Sequence, residues 1–553
     1  GQAPRGFFAE ADNPFDRPEG EQLGGFRPPA DFEDQFNGID FPTGIFTDTT
    51  GTGRAGNIQI ATPRLVVSEG AAISATTFGA GRGGDIGLGL ARGVGSVVLN
   101  DAAILAGATG EAIGDGGNIL VQTGTLVLRD GATLSTLSLG QGNGGTIQVL
   151  ADEGVSLAGT NRGFGEPSSF LSGAEGATSG RGGDITVTTS RLSLADGSEL
   201  NARTNSGFAG GNITVNAAAF EATGGSRLVT STSSGGSAGQ ITLNVAGELA
   251  LVGRGTGLFA STSPGSSGRG GDILIQTPET IAIANGAGIA VGSLGTGQGG
   301  NIAIATGRLA LDNRAFLSAE TASSQGGNIA ITSSGLITLR RNSLISTTAG
   351  TAQAGGNGGN ITIFAPNSFV VAALKENSDI RANAFTGNGG NIAITAIAIY
   401  GLRSQPINTR LSDITASSQF GFSGSITLNT LNVDPSQGVE SLPGNLVDPS
   451  NQIALGCAPG SEITKRANRF VVTGKGGLPL QPEEGQPGQA LVELTPLVQP
   501  GGQSRSRAGQ PAVVALLEAR QWRLGTDGSV YLIAQPAAPQ SPRGWEPSVP
   551  CPK

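Results

Sequence analysis

The chain has 553 residues, of which 93 are glycine; 37% are hydrophobic but only 5% aromatic, and the net charge is −9. The absence of histidine removes imidazole metal ligands, Ser-His and Cys-His nucleophile pairs and the usual physiological-pH switch, and the acidic balance argues against nucleic acid as a partner. Glycine follows no three-residue period, which excludes collagen, and no run of about 18 apolar residues offers a transmembrane segment.

Residues 1–46 are acidic and rich in proline and phenylalanine. They hold nine acids and three arginines, net −6, and eight of the 21 phenylalanines: Phe7, Phe8, Phe15, Phe26, Phe32, Phe36, Phe41 and Phe46. A free disordered arm seldom carries so many large apolar groups. Spaced along an extended strand, they read as anchors for a groove on the chain's own body or on a neighbour's, and hence as candidate subunit-docking residues. The chain contains no methionine, so Gly1 reads as the start of a processed product or of part of a longer chain.

From 47 to 433 one phrase recurs: glycines, a polar residue, then an apolar-alternating triplet, as in 358-GGNITI and 389-GGNIAI. Its isoleucines are Ile58, Ile86, Ile119, Ile147, Ile185, Ile213, Ile241, Ile273, Ile302, Ile329, Ile361, Ile392 and Ile426, spaced 27 to 38 residues apart. Repetition at such a period means a solenoid. Within a copy, 300-GNIAIAT-306, 308-RLALDN-313 and 314-RAFLSAET-321 are strand-length runs of period two. Three strands per copy predict an all-β, right-handed parallel β-helix of about 13 coils, with strands ~4.8 Å apart and a rod of roughly 60 Å. The glycines are expected to permit positive φ at the corner into the first strand. The polar residue after them is Asn57, Asp85, Asn118, Asp184, Asn212, Asp272, Asn301, Asn328, Asn360 or Asn391, and elsewhere Thr146, Gln240 or Ser425; stacked, these predict a structural ladder of side-chain hydrogen bonds. The longest insertion, 159–183, holds Phe164 and Phe170, candidate loop contacts for a partner.

Several chemistries are weak here. GRGGDI invites comparison with nonapeptide calcium repeats, yet those need an acid in every short repeat. Glycosidic catalysis needs two carboxylates flanking a bond, while the acids here are scattered, as at Asp130, Asp196 and Asp312, which suit turns first. Runs such as 74-SATT-77, 230-TSTSS-234 and 346-STT-348 are too irregular for an ice-binding array. No cofactor or metal site emerges.

Residues 434–474 read as a cap segment, 475–511 as a Pro/Gly-rich connector, and 512–553 as a hairpin around Asp527-Gly528 with a cysteine tail. Together 434–553 carry ten acids and ten bases. A disulfide between Cys457 and Cys551 would close this region in an oxidising compartment; two free thiols are the alternative.

The tail resembles the filamentous-haemagglutinin-like exoproteins of cyanobacterial type, whose GC…NRFVVTGRGGLP-like signature is met at Gly456, Cys457, Asn468 to Gly474 and Gly476 to Pro479. The stretch 517-LEARQWRLGTDGSVYLIAQ-535 and the Trp545…Cys551 ending are similar too. The resemblance covers roughly residues 50–553. It implies a secreted, extracellular or cell-surface β-helix, exported by two-partner secretion through an outer-membrane transporter and acting as an adhesin or surface exoprotein. The NPNG-type secretion domain is absent from this numbering, and 37-NGID-40 is no substitute. The combined expectation is a non-catalytic structural or adhesive protein forming a head-to-tail homo-polymer through its N-terminal arm. The alternatives are a carbohydrate-active β-helix enzyme and a monomeric adhesin that binds surface glycans.

Overall fold

The computed structural model describes residues 43–431, apart from 90–94, 111, 162, 164 and 177–179, together with the main chain of 521–524 and 530–533. Each of the thirteen motif isoleucines begins a strand. Each lies in parallel register on the isoleucine of the next copy, from Ile58↔Ile86 through Ile213↔Ile241 to Ile392↔Ile426. Thirteen copies therefore bound twelve turns of a right-handed parallel β-helix.

The first two strands of a copy often run on as one, as in Ile119–Arg129 and Ile302–Asp312, and elsewhere separate, as in Ile241–Val245 and Leu249–Val252. In several of the continuous strands the register slips at the bend, for example between Ala151 and Val155 and between Thr277 and Thr280. An extra residue there lets the chain turn while both halves keep their inward alternation. The third strands are short and form their own parallel sheet from Gly44–Phe46 to Asp413–Thr415.

Period-two alternation fills the interior. In one copy Ile119, Val121, Leu126, Leu128 and Leu134 are all buried. Each such burial contributes about 1.5–3 kcal/mol relative to exposure, but only because the neighbouring coils close the core above and below. The inward positions of the outermost described coils are different: Ile45 is 48% exposed and Leu428 39%. Phe46 belongs to the strand Gly44–Phe46, paired with Ala72–Ser74. The last three residues of the segment expected to be an arm thus belong to the solenoid, because Ile45 continues the inward column of Ile73.

The left-handed backbone lies at a different corner from the one expected. Between second and third strands the chain passes through positive φ at pairs such as Asp130 (54°) and Gly131 (82°), Asp196 (55°) and Gly197 (80°), and Asn285 (59°) and Gly286 (80°). These are positions where Asp, Asn and Gly cost least. The repeated motif glycines are not in that region. They are required for space: a Cβ on Gly84 would sit 2.0 Å from the Gly56 carbonyl oxygen, and one on Gly211 only 1.8 Å from that of Gly183. The N–H of this glycine closes the coil on the residue after the third strand, as in Gly211 to Ala202 O at 2.9 Å.

Residues Pro443–Lys553 form a separate unit, of which an antiparallel pair, Gln521–Leu524 with Val530–Ile533, is described. Cys457, Cys551 and the phenylalanines from Phe7 to Phe41 lie outside the described residues. Among the described residues no helix is long and apolar enough to cross a membrane.

Candidate functional site

Three surfaces run along the rod, and each is built by stacking one position of the repeat. The first is the polar column beside the motif glycines. Its hydrogen bonds run mainly from main chain to side chain. The Asp85 N–H donates to Asn57 Oδ1 at 2.9 Å, that of Asn118 to Asp85 Oδ1 at 2.9 Å, and that of Thr146 to Asn118 Oδ1 at 3.0 Å. The same step links Asp184 to Asn212, Asn212 to Gln240, Asp272 to Asn301, and Asn301 through Asn328, Asn360 and Asn391 to Ser425. The relay therefore needs an oxygen at the δ position, which explains why Asp and Asn interchange. It stops after Thr146, which has no δ oxygen, and after Gln240, whose oxygen is one methylene too far. Each Asp is followed by an Asn, and the Asn118, Asn212 and Asn301 side-chain amides donate to the carboxylate as well. A Thr146→Asn change should extend the relay to the Asp184 N–H. We expect it to stabilise the chain by about 1 kcal/mol, read as a rise in the denaturation midpoint at constant slope.

The arginine in GRGGDI has a local partner. Arg82 bonds Asp85 at 3.3 Å, Arg54 also reaches Asp85, and Arg269 bonds Asp272 at 2.8 Å. Burial pushes the Asp85 carboxyl up, but the Asn118 N–H with Arg82 and Arg54 outweighs it and holds the group below the usual carboxylate range. At Asp85 and Asp272, where the motif invites comparison with calcium repeats, a guanidinium serves the aspartate.

The second surface is an open groove of about 790 Å³ at the bend between first and second strands. Asn216, Asn244, Gln276, Thr277, Thr306 and Thr332 line it, with main chain and small side chains between, and none of its lining residues is ionisable. Asn244 Nδ2 donates to Asn216 Oδ1 at 2.8 Å, so the amides are aligned coil over coil. The arrangement offers hydrogen-bond donors and acceptors at coil spacing.

The third surface is the outer face of the third-strand sheet. Carboxylates do meet here on adjacent coils. The Asp413 N–H donates to Asp379 Oδ1 at 2.8 Å, Arg381 bonds Asp379 Oδ2, and the Thr409 N–H donates to Asp413 Oδ2 at 2.5 Å, while Asp413 Oδ1 is buried without a partner. Farther along, Arg203 bonds Glu175 at 2.7 Å, both about 11% exposed. Burial, then the Glu199 charge, raises the Glu166 carboxyl against the pull of Arg203. Burial likewise raises Glu320, which accepts the Ser346 hydroxyl and faces Arg381, and it raises Asp379. Two carboxylates that work on a glycosidic bond must flank it in a space that admits the sugar. The Asp379–Asp413 pair is shut in, and neither it nor Glu166 or Glu199 lines the groove. A raised carboxyl makes the fold relatively more stable while protonated, and that stability is lost as pH rises through the ordinary glutamate range toward the raised value. Glu320→Gln should accordingly raise the melting temperature at pH 7 and narrow its difference from the parent at pH 4; a lower melting temperature at pH 7 would show that ionised Glu320 supports the fold through Arg381.

The remaining expected sites separate. Phe170 is not a loop contact: it occupies the inward position of Ser169–Leu171 and is fully buried. The insertion 159–183 contains this third strand, so much of its extra length, including the antiparallel bridge Thr160↔Pro167, falls at the corner before it. Phe164 lies outside the described residues. Each of the threonine runs turns a threonine into the fold, with Thr77, Thr230 and Thr347 all fully buried. Sequence reasoning missed the aromatic patch of the last coils. Phe364 and Phe369 are 48% and 37% exposed, and the Phe369 ring lies 6.0 Å from Tyr400. An aromatic at an outward period-two position was the available signal. No family model, curated protein or solved structure matches this chain.

Proposed function

We propose that this chain is a non-catalytic structural or adhesive rod of the cell surface or extracellular space, and that copies join end to end with residues 1–42 crossing the junction. The observation that carries this reading is the uninterrupted parallel register from Ile58↔Ile86 to Ile392↔Ile426, in which every coil is a template for the next. A coil is stabilised by the next one, and open strand edges favour pairing. The groove supports a binding role over a catalytic one, because its lining is amide, hydroxyl and backbone. Stacked amides of this kind suit surface glycans as partners. Export through an outer-membrane transporter follows from the resemblance of residues 456–551. In sedimentation velocity, the full chain should show concentration-dependent large species that vanish when residues 1–42 are removed, with the β-sheet circular dichroism unchanged. Large species surviving the truncation would remove the segment from the junction.

A further inference from the structure

The outer face of the third-strand sheet carries an apolar run that points away from the core. Leu200, Leu228, Leu258, Ile289 and Leu317 face inward. By alternation, Leu171, Val229, Phe259, Ala290, Phe316 and Leu344 face outward. Leu171, Val229, Ala290 and Phe316 are nonetheless 9%, 8%, 0% and 9% exposed. Glycines shape the floor: a Cβ on Gly288 would meet the Phe316 ring at 2.4 Å, so that ring lies flat over its neighbour. Arg203, Arg227 and Arg381 stand on the same face.

We propose that residues 1–42 of the same chain lie along this face, seating phenylalanines on the apolar run. The chain enters the solenoid through Gly44–Phe46, the first strand of this very sheet, so the segment starts at the edge of its own receptor. Its reach is ample: 42 residues extend up to ~140 Å at ~3.3 Å each, against roughly 60 Å of stacked strands. Its chemistry matches, with seven phenylalanines, whereas residues 434–553 hold one. The placement concerns one chain by itself and stands apart from end-to-end assembly; in an assembled rod the same segment would exchange onto the neighbour's copy of this face.

The test is cleavage of the full-length chain by a glutamate-specific protease, which within residues 1–42 cuts after Glu10, Glu19, Glu21 and Glu33. These cuts should be slow in the parent. They should accelerate at least tenfold in Phe259→Asp/Leu344→Asp, whose substitutions point out of the core, with the rod's thermal unfolding unchanged; the single change Leu344→Ser serves if the double variant fails to fold. Fast cleavage in the parent, or protection that persists in the folded variants, would overturn the placement. So would a variant that instead exposes Glu483 and Glu484, which would make the C-terminal region the occupant.

Discussion

Replacing Gly211 by alanine should destabilise the solenoid by about 3 kcal/mol or more, at the upper end for overpacked sites. The added Cβ would lie 1.8 Å from the Gly183 carbonyl oxygen and 2.5 Å from its carbon. The obstacle is backbone, held in register on both sides by Ile185↔Ile213 and Ile213↔Ile241, so it cannot swing aside like a side chain. Because each coil contacts only its neighbours, the damage should fall at one interface and split the thermal transition in two. Gly207, four residues earlier, would place its Cβ in open space, and Gly207→Ala should melt like the parent. Equal behaviour of the two variants would show that the column has room its geometry denies.

Phe170→Ala is the second large effect, expected at about 3–5 kcal/mol. The ring is fully buried and stacks between Leu134 and Leu200 of the adjoining coils. Truncation leaves a cavity that flanking coils cannot close without losing strand register. A chemical denaturation curve measures the loss. A loop-contact role for Phe170 would have produced the opposite pattern, unchanged stability with altered binding.

The fold was legible because one physical requirement repeats. The thirteen isoleucines mark strand starts, and period-two alternation after each fixes which residues face inward. What the repeat concealed was the reason for its glycines. Sequence shows that Gly56, Gly84 and their successors never vary, but positive φ and the absence of space for a Cβ both demand glycine. Only the stacked carbonyls distinguish them, and the left-handed corner proved to be at Asp130-Gly131 and its equivalents. The ladder was visible as a column, yet its working atom was not: the choice between amide pairing and main-chain capture depends on where the δ oxygen points. Phe170 was misplaced because an insertion on one side of a three-residue strand hid the strand. Arg82 and Arg269 were overlooked because three-residue spacing looks like a motif until the salt bridge is seen. The carboxylate pairs could not be read at all, since Asp379 and Asp413 are 34 residues apart and meet only through coil register.

The central claim is a rod that adds to itself at its ends. Negative-stain electron microscopy of the purified chain at neutral pH tests it most directly. The account predicts filaments with an axial repeat of roughly 60 Å, set by stacked strands ~4.8 Å apart, or somewhat longer where residues beyond the coils contribute. Uniform single rods at every concentration tried would contradict it.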